Sequence, residues 1–230
     1  MTKAKKFILT VVVPTYNRSN ILKKTLQIFI KNKNPNICFL VLNNNSKDGT
    51  IDLIKKLIKK DKRIILKSHK KNIGAANNFR YGLLKSKTPY VCLVSDDDLL
   101  KGKYFDYCIE IFQKNRDVGI IHHEYGKIIT SKIKNYKVFD AGSESSINVF
   151  NHSSIIAGLA FRRSLINFKK YPTDKKLVYS YMSQVLNITK KYRYAKILNS
   201  AFFPSRKRKN FKGLIEDGYK IQMRPYDYGI

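Results

Sequence analysis

Acidic side chains, cysteines and long apolar runs are all scarce in this sequence, and each scarcity excludes something. The three cysteines, Cys38, Cys92 and Cys108, sit singly in apolar surroundings without metal-ligand spacing. That argues against a disulfide framework or a cysteine zinc site and for buried free thiols in a reducing cytoplasm. No segment approaches the ~18 apolar residues of a membrane span. The N-terminal lead into the first apolar run is short and basic, too brief for a signal peptide. No internal repeat and no linker interrupts the chain, so 1–230 reads as one domain, with a hydrophobic content of 43% to build its core. Acids number 16 against 46 Lys plus Arg, a formal charge of +30. Such a field attracts polyanions, which makes nucleic acid, anionic lipid surfaces and nucleotides candidate partners. The basic residues are spread along the chain and form no known reader motif, so no nucleic-acid partner is expected.

The stretch that is present and unusual is Tyr90 to Leu100, Tyr-Val-Cys-Leu-Val-Ser-Asp-Asp-Asp-Leu-Leu. Tyr90 to Val94 reads as a strand buried on both faces. Asp96, Asp97 and Asp98 then crowd three carboxylates at its C-terminal end, an arrangement that needs a cation or hydrogen-bond donors to compensate it. In an open α/β sheet this edge is where ligands bind. Extended geometry would let Asp96 and Asp98 flank one ion while Asp97 faces elsewhere. Oxygen-only ligands suit Mg²⁺ or Mn²⁺ bridged to substrate phosphates. The plainer reading is an acidic N-cap, with Asp98 starting a helix that runs toward Phe112.

Around this stretch the periodicity predicts β-α-β-α-β-α-β. Strands are expected at Phe7 to Val13 (closed by Pro14), Ile37 to Leu42, Ile64 to Leu66 and Tyr90 to Val94. A helix capped by Ser19 or Asn20 carries Ile21, Leu22, Thr25, Leu26, Phe29 and Ile30 on one face. A second spans Ile51 to Ile58, and a third follows Gly74 with Ala75, Ala76, Phe79, Leu83 and Leu84 inward. This order means a parallel sheet wrapped by helices on both faces. Beyond Asp117 regularity drops. Strands are expected at Val118 to His122 and near Tyr194 to Leu198, a basic segment or hairpin at Lys127 to Val138, a loop at Asp140 to Asn151 and a helix from about Leu177 to Lys190. The adjacent His122 and His123 point to opposite faces of their strand and do not readily chelate together.

Four motifs, in order and spacing, resemble the family-2 inverting glycosyltransferases of the GT-A fold. They are Val11-Val12-Val13-Pro14-Thr15-Tyr16-Asn17-Arg18, Asn43-Asn44-Asn45-Ser46-Lys47-Asp48-Gly49-Thr50, Asn72-Ile73-Gly74-Ala75-Ala76-Asn77-Asn78 and Ser95-Asp96-Asp97-Asp98-Leu99-Leu100. Ile156 to Ile166 resembles the segment that opens the acceptor half. The resemblance implies a Rossmann-like, mostly parallel sheet flanked by helices, with 1–117 as the nucleotide-sugar-binding half and 118–230 as a more irregular acceptor-binding half with a basic C-terminal tail. It implies that Pro14, Thr15, Tyr16, Arg18, Asn43, Asn44, Asn72, Asn78, Asp96 and Asp97 hold the nucleotide sugar, that Asp97 and Asp98 hold Mn²⁺ or Mg²⁺, and that Arg162 and Arg163 bind the diphosphate or an anionic acceptor.

The sequence departs from the family pattern in two places. Asn43 stands where a carboxylate is usual, which opens the base preference, because an amide presents a donor as well as an acceptor. The usual acidic pair that supplies the catalytic base is absent, and Asp174 lies nearest its expected place; Gln184, on the following helix, cannot act as a base. The resulting expectation is a metal-dependent inverting transferase taking a nucleotide-sugar donor and a saccharide or lipid-linked acceptor in bacterial surface polysaccharide (O-antigen or capsule) synthesis. It would be cytoplasmic and peripheral at an anionic membrane, where the tail (Arg206, Lys207, Arg208, Lys209) docks. The alternatives are a nucleotide-binding relative without turnover and a basic nucleic-acid-binding module.

Overall fold

A computed structural model describes residues 7–100, 103–123, 135–153, 156–172, 179–198 and 202–204. Its first half alternates strand and helix: β1 (Leu9–Thr15), α1 (Ser19–Phe29), β2 (Ile37–Asn43), α2 (Thr50–Lys60), β3 (Ile64–Ser68), α3 (Ala75–Lys85) and β4 (Tyr90–Leu93). These four strands lie parallel in the order β3-β2-β1-β4. Every residue of β1, β2 and β4 is buried, as a sheet covered on both faces requires. Alternation along β1 divides the core. Leu9, Val11 and Val13 face one cluster with Leu22, Leu26 and Phe29 of α1, while Val12 faces another with Leu83 of α3.

Strand β1 runs through Pro14 rather than stopping before it, with Pro14 opposite Leu42. The β4 ladder ends near Val12, whose carbonyl accepts from Val94 N at 3.0 Å. Pro14 faces that same side one step further on, where no partner strand needs its missing N–H. Helix α3 buries Ala76 and Leu83, but Ala75 and Leu84 are exposed, so its inward face is narrower than the apolar spacing suggests.

The second half consists of β5 (Asp98–Leu100), α4 (Lys103–Lys114), β6 (Val118–His123), β7 (Asn135–Phe139), α5 (Ser143–Ser153), β8 (Leu159–Arg162), α6 (Met182–Thr189), β9 (Arg193–Leu198) and β10 (Phe202–Pro204). It extends the sheet as β4-β8-β6-β9-β7. Strand β8 is antiparallel to β4 and β6, and β7 is antiparallel to β9, so the sheet is mostly rather than wholly parallel. The span 140–151, expected as a loop, is instead mostly helix α5. Its Val149 is buried, and Thr189 Oγ1 of α6 donates to Ser146 Oγ at 3.0 Å. Phe105 of α4 packs edge-on against Phe29 at 5.1 Å, binding this half to α1. Cys38, Cys92 and Cys108 are free and buried, and burial pushes all three thiols up.

Gly82 is where α3 meets the sheet most closely. A Cβ there would lie 2.3 Å from Val12 Cγ1 and 2.8 Å from Leu42 Cδ1. Gly82→Ala is therefore expected to destabilise by roughly 1–3 kcal/mol through overpacking, measured by urea unfolding; an unchanged midpoint would show that α3 has room to shift.

Candidate functional site

Strand β1 has β2 on one side and β4 on the other, so the chain's direction of travel across the sheet reverses between β1 and β4. A crevice opens at such a switch point beyond the C-terminal ends of the strands. Here Thr15, at the tip of β1, donates through Oγ1 to Asp96 Oδ2 at 2.7 Å. Arg18, which precedes α1, donates through Nη1 to Asp96 Oδ1 at 3.0 Å and reaches Asp97 Oδ2 at 3.4 Å. Thr25 of α1 donates to the Asp96 carbonyl at 2.7 Å. Asp96 is only 3% exposed, and burial pushes its carboxyl up to about 6, against the opposing pull of Arg18 and Thr15.

Asp98 Oδ2 accepts from Ser95 N at 2.9 Å, closing a turn over Asp96 and Asp97. Asp98 therefore opens β5, not a helix; α4 starts at Lys103. Because Asp96 and Asp97 lie in a turn, strand alternation does not apply to them, and Asp96 is committed to Thr15 and Arg18 rather than to an ion shared with Asp98. Among the described residues no cluster of three or more metal-ligating side chains occurs. The donor set that fits a divalent ion is Asp97 and Asp98, carboxylates of a kind that Mg²⁺ and Mn²⁺ accept singly or in pairs when ligand phosphates complete the shell.

A cleft of about 400 Å³ adjoins this clasp. Pro14, Thr15, Tyr16, Arg18, Asn44, Asn72, Asn78 and Asp96 line it together with Gly74, Ala75, Phe79 and Ser95. Of these four, Gly74, Ala75 and Ser95 fall within the motifs that drew attention to the site, and none has a side chain whose chemistry would single it out. Asn43 is displaced from the expected role. It is 1% exposed and does not line the cleft; its Oδ1 accepts from Ser46 N at 3.0 Å, holding the β2–α2 loop. The neighbouring Asn44 faces the cleft instead. Its Nδ2 donates to Asn72 Oδ1 at 2.8 Å, and its Oδ1 accepts from Ile73 N at 2.9 Å. Asn78 donates to the Leu42 carbonyl at 3.1 Å and pairs with His69 Nε2 at 3.0 Å.

Asp48 ties the rim together. It accepts from Ser19 N at 2.9 Å and Thr50 N at 3.1 Å, and so satisfies the first N–H of both α1 and α2. Slight burial pushes its carboxyl up, but the bonds from Thr50 and Ser19 outweigh that and leave it below its ordinary value. Asn17 and Asn45 take positive φ in these loops, a conformation that asparagine tolerates.

Arg162 and Arg163 are not brought to the cleft. Arg162 pairs with Tyr90 at the start of β4, on the opposite edge of the sheet. Its guanidinium donates to the carbonyls of Phe112, Asn115 and Val118 at 2.9, 3.0 and 3.1 Å and covers the Tyr90 and Phe112 rings, securing the end of α4. Arg163 donates to the Leu84 carbonyl and lies over Phe168. Gln184 is fully buried and accepts from Asn167 N at 2.9 Å, a structural position. His122 and His123 are both buried, against Tyr194 and Tyr104 respectively. Asp174 and the tail residues Arg206, Lys207, Arg208 and Lys209 lie outside the described residues.

Comparison with known proteins places this geometry. Residues 10–171 match the profile described as glycosyl transferase family 2. A protein of Rickettsia bellii described as an uncharacterized glycosyltransferase is 30% identical over 61% of this chain and 20% of its own length. Glycosyltransferase GlyA of Streptococcus pneumoniae is 32% identical over 43% of this chain and 14% of its own. The chain thus spans less than half the length of these relatives. Among solved structures, Staphylococcus aureus TarS 1–349 in complex with UDP superimposes with a TM-score of 0.65 at 16% identity, covering 85% of this chain and 59% of that one. Mannosyltransferase PcManGT of Pyrobaculum calidifontis, in complex with GDP-Man and Mn²⁺, gives 0.63 at 17% identity over 94% and 62%. At these identities the likeness establishes the fold, GT-A.

The clasp has a consequence that needs no ligand to observe. Native Asp96 titrates near 6, whereas an unfolded aspartate titrates near ~4. Between those values the native state binds more protons, so this group's contribution makes stability fall as pH rises from about 4 to about 7. Asp96→Asn keeps an acceptor for Thr15 but sets its amide N–H against Arg18 Nη1, so the relieved burial of charge and the lost ion pair oppose each other. Its stability is expected to lack the part of the wild-type fall between about pH 4 and about pH 7 that Asp96 supplies. Urea unfolding across pH measures this; a variant that keeps the wild-type slope over that range would contradict it.

Proposed function

The chain belongs to glycosyl transferase family 2, and we propose that it is a metal-dependent inverting glycosyltransferase acting on a nucleotide-sugar donor. The observation that carries this reading is the cleft at the β1–β4 switch point, lined by Arg18 and the buried Asp96, with Asp97 and Asp98 following Asp96 in the adjoining turn. A nucleoside diphosphate fits such a site. Arg18 offers its phosphates a guanidinium, and the Asn44, Asn72 and Asn78 wall offers hydrogen bonds without negative charge. Mn²⁺ or Mg²⁺ bound by Asp97 and Asp98 would supply countercharge for the departing diphosphate. The acceptor hydroxyl forms the new bond at the anomeric carbon, the bond from that carbon to the diphosphate oxygen breaks, and the hydroxyl's proton passes to a base, for which Asp174 is proposed. One displacement inverts the anomeric centre.

The half from residue 118 onward is assigned to the acceptor, a saccharide or lipid-linked saccharide in surface polysaccharide assembly. Among the described residues no helix is long and apolar enough to cross a membrane. The proposed location is the cytoplasmic face of the membrane, with the basic tail against anionic lipid. In support stand the bound UDP of TarS and the bound GDP-Man and Mn²⁺ of PcManGT.

Thermal unfolding with millimolar UDP, CDP, GDP and dTDP, each with and without Mn²⁺, tests the reading. A ligand at a hundred times its Kd adds about 2.7 kcal/mol, so Tm should rise by about 5 °C or more with the favoured nucleotide and Mn²⁺. Asp97→Asn combined with Asp98→Asn should remove the metal-dependent part of the rise. No shift with any nucleotide, or an equal shift without metal, would overturn it.

A further inference from the structure

The side of the sheet covered by α1 and α2 carries a concentration of charge that the donor cleft does not use. Resting on the membrane location proposed above, we propose that this α1–α2 face is the surface that docks on anionic phospholipid, its lysines taking the headgroup phosphates.

Helix α1 carries Lys23 and Lys24, and α2 carries Lys55, Lys56, Lys59 and Lys60; all six are exposed. The apolar residues between them, Leu22, Leu26 and Phe29 of α1 and Ile54 and Leu57 of α2, belong to the core, which leaves the lysines the outer side. Asp52 is the only acid on either helix. Among the described residues the ion pairs are made by Arg18, Arg63, Lys114 and Arg193, and by none of these six lysines.

This concentration is local and does not follow from the overall charge. Helix α4 packs on the same core, yet it sets Asp106 and Glu110 against Lys103 and Lys114, and Lys114 Nζ donates to Glu110 at 2.7 Å. Helix α6, Met-Ser-Gln-Val-Leu-Asn-Ile-Thr, carries no charge.

Between α1 and α2 lies a groove of about 560 Å³, lined by Lys23, Lys56 and Lys60 together with Leu53 and Leu57. A headgroup phosphate fits it, with the lysine stems along apolar surface and the ammonium groups at the phosphate. The six lysines are distributed along two helices of 11 residues each. Such a helix is about 16 Å long, too far for one small anion to span and matched by a plane of headgroups. Ser19 and Gly49, where α1 and α2 start, also line the groove, and Ser19 follows Arg18 of the donor cleft. A bilayer on this face therefore adjoins the cleft, where the lipid-linked acceptor proposed above would arrive.

Co-sedimentation of the full chain with vesicles of equal parts phosphatidylcholine and phosphatidylglycerol, against vesicles of phosphatidylcholine alone, tests this. Wild type is compared with a groove variant, Lys23→Gln with Lys56→Gln and Lys60→Gln. A control variant removes the same charge from exposed positions ahead of β4 and β9, Lys87→Gln with Lys190→Gln and Lys191→Gln. Wild type is expected to bind the anionic vesicles alone. Each lysine at an anionic surface is worth about fivefold in affinity, so the groove variant should bind about a hundredfold more weakly. The control variant should stay within about threefold of wild type, its lysines lying beyond the screening length. Thermal unfolding of the groove variant should match wild type, since all three changes are exposed. Equal losses in the two variants, or undiminished binding by the groove variant, would overturn this face while leaving the membrane location to the basic tail. No binding to anionic vesicles would overturn both and leave the nucleotide site intact. Duplex DNA bound more tightly than the vesicles at the same salt, and lost in the groove variant, would assign the face to nucleic acid and overturn the lipid reading.

Discussion

A buried carboxylate holds the ligand edge of this protein together. Asp96 draws the tip of β1 through Thr15, the start of α1 through Arg18 and the body of α1 through Thr25 onto the segment that leaves β4. Removing a carboxylate from water is unfavourable unless donors and an opposite charge replace the solvent. Here the replacement is incomplete, as the rise of its carboxyl to about 6 shows. Asp97 and Asp98 follow Asp96 in the turn that the Ser95 N–H and the Asp98 carboxylate close.

The charge of +30 has to be read against the two edges of the sheet. At the ligand edge, Arg18 engages carboxylates beside an open cleft. At the opposite edge, Arg162 occupies the carbonyls that end α4, and Arg163 bonds the Leu84 carbonyl and covers Phe168. Equal charges thus serve different ends, and the local geometry separates them. Asn44 and Asn72 line the cleft with Arg18, and their orientation follows from the backbone N–H groups of Ile73 and Gly74 that they accept.

Much of this was legible in the residues. The runs of β1, β2 and β4 are apolar because both sheet faces are covered, and α1 shows its buried face by spacing alone. Asp96 of the Asp cluster and Pro14, Thr15, Tyr16 and Arg18 of the first loop come together at the cleft. What escaped depended on contacts between distant segments. Helix α5, Ser-Glu-Ser-Ser-Ile-Asn-Val-Phe-Asn-His-Ser, is poor in strong helix formers; packing against α6 supports it. Whether Pro14 ends a strand depends on how far β4 extends. Which of Asn43 and Asn44 lines the cleft depends on the turn that Ser46 closes, and Arg162 could be assigned to an edge only once its strand was known to run antiparallel to β4.

The Asp96 clasp is proposed to present a nucleotide site with its metal at Asp97 and Asp98. Anomalous diffraction from crystals grown with Mn²⁺ and a nucleoside diphosphate measures this directly. A manganese peak between the two carboxylates and the diphosphate is expected, with the phosphates toward Arg18. A nucleotide seated elsewhere, for example between α1 and α2, or a peak remote from Asp97 and Asp98, would contradict it.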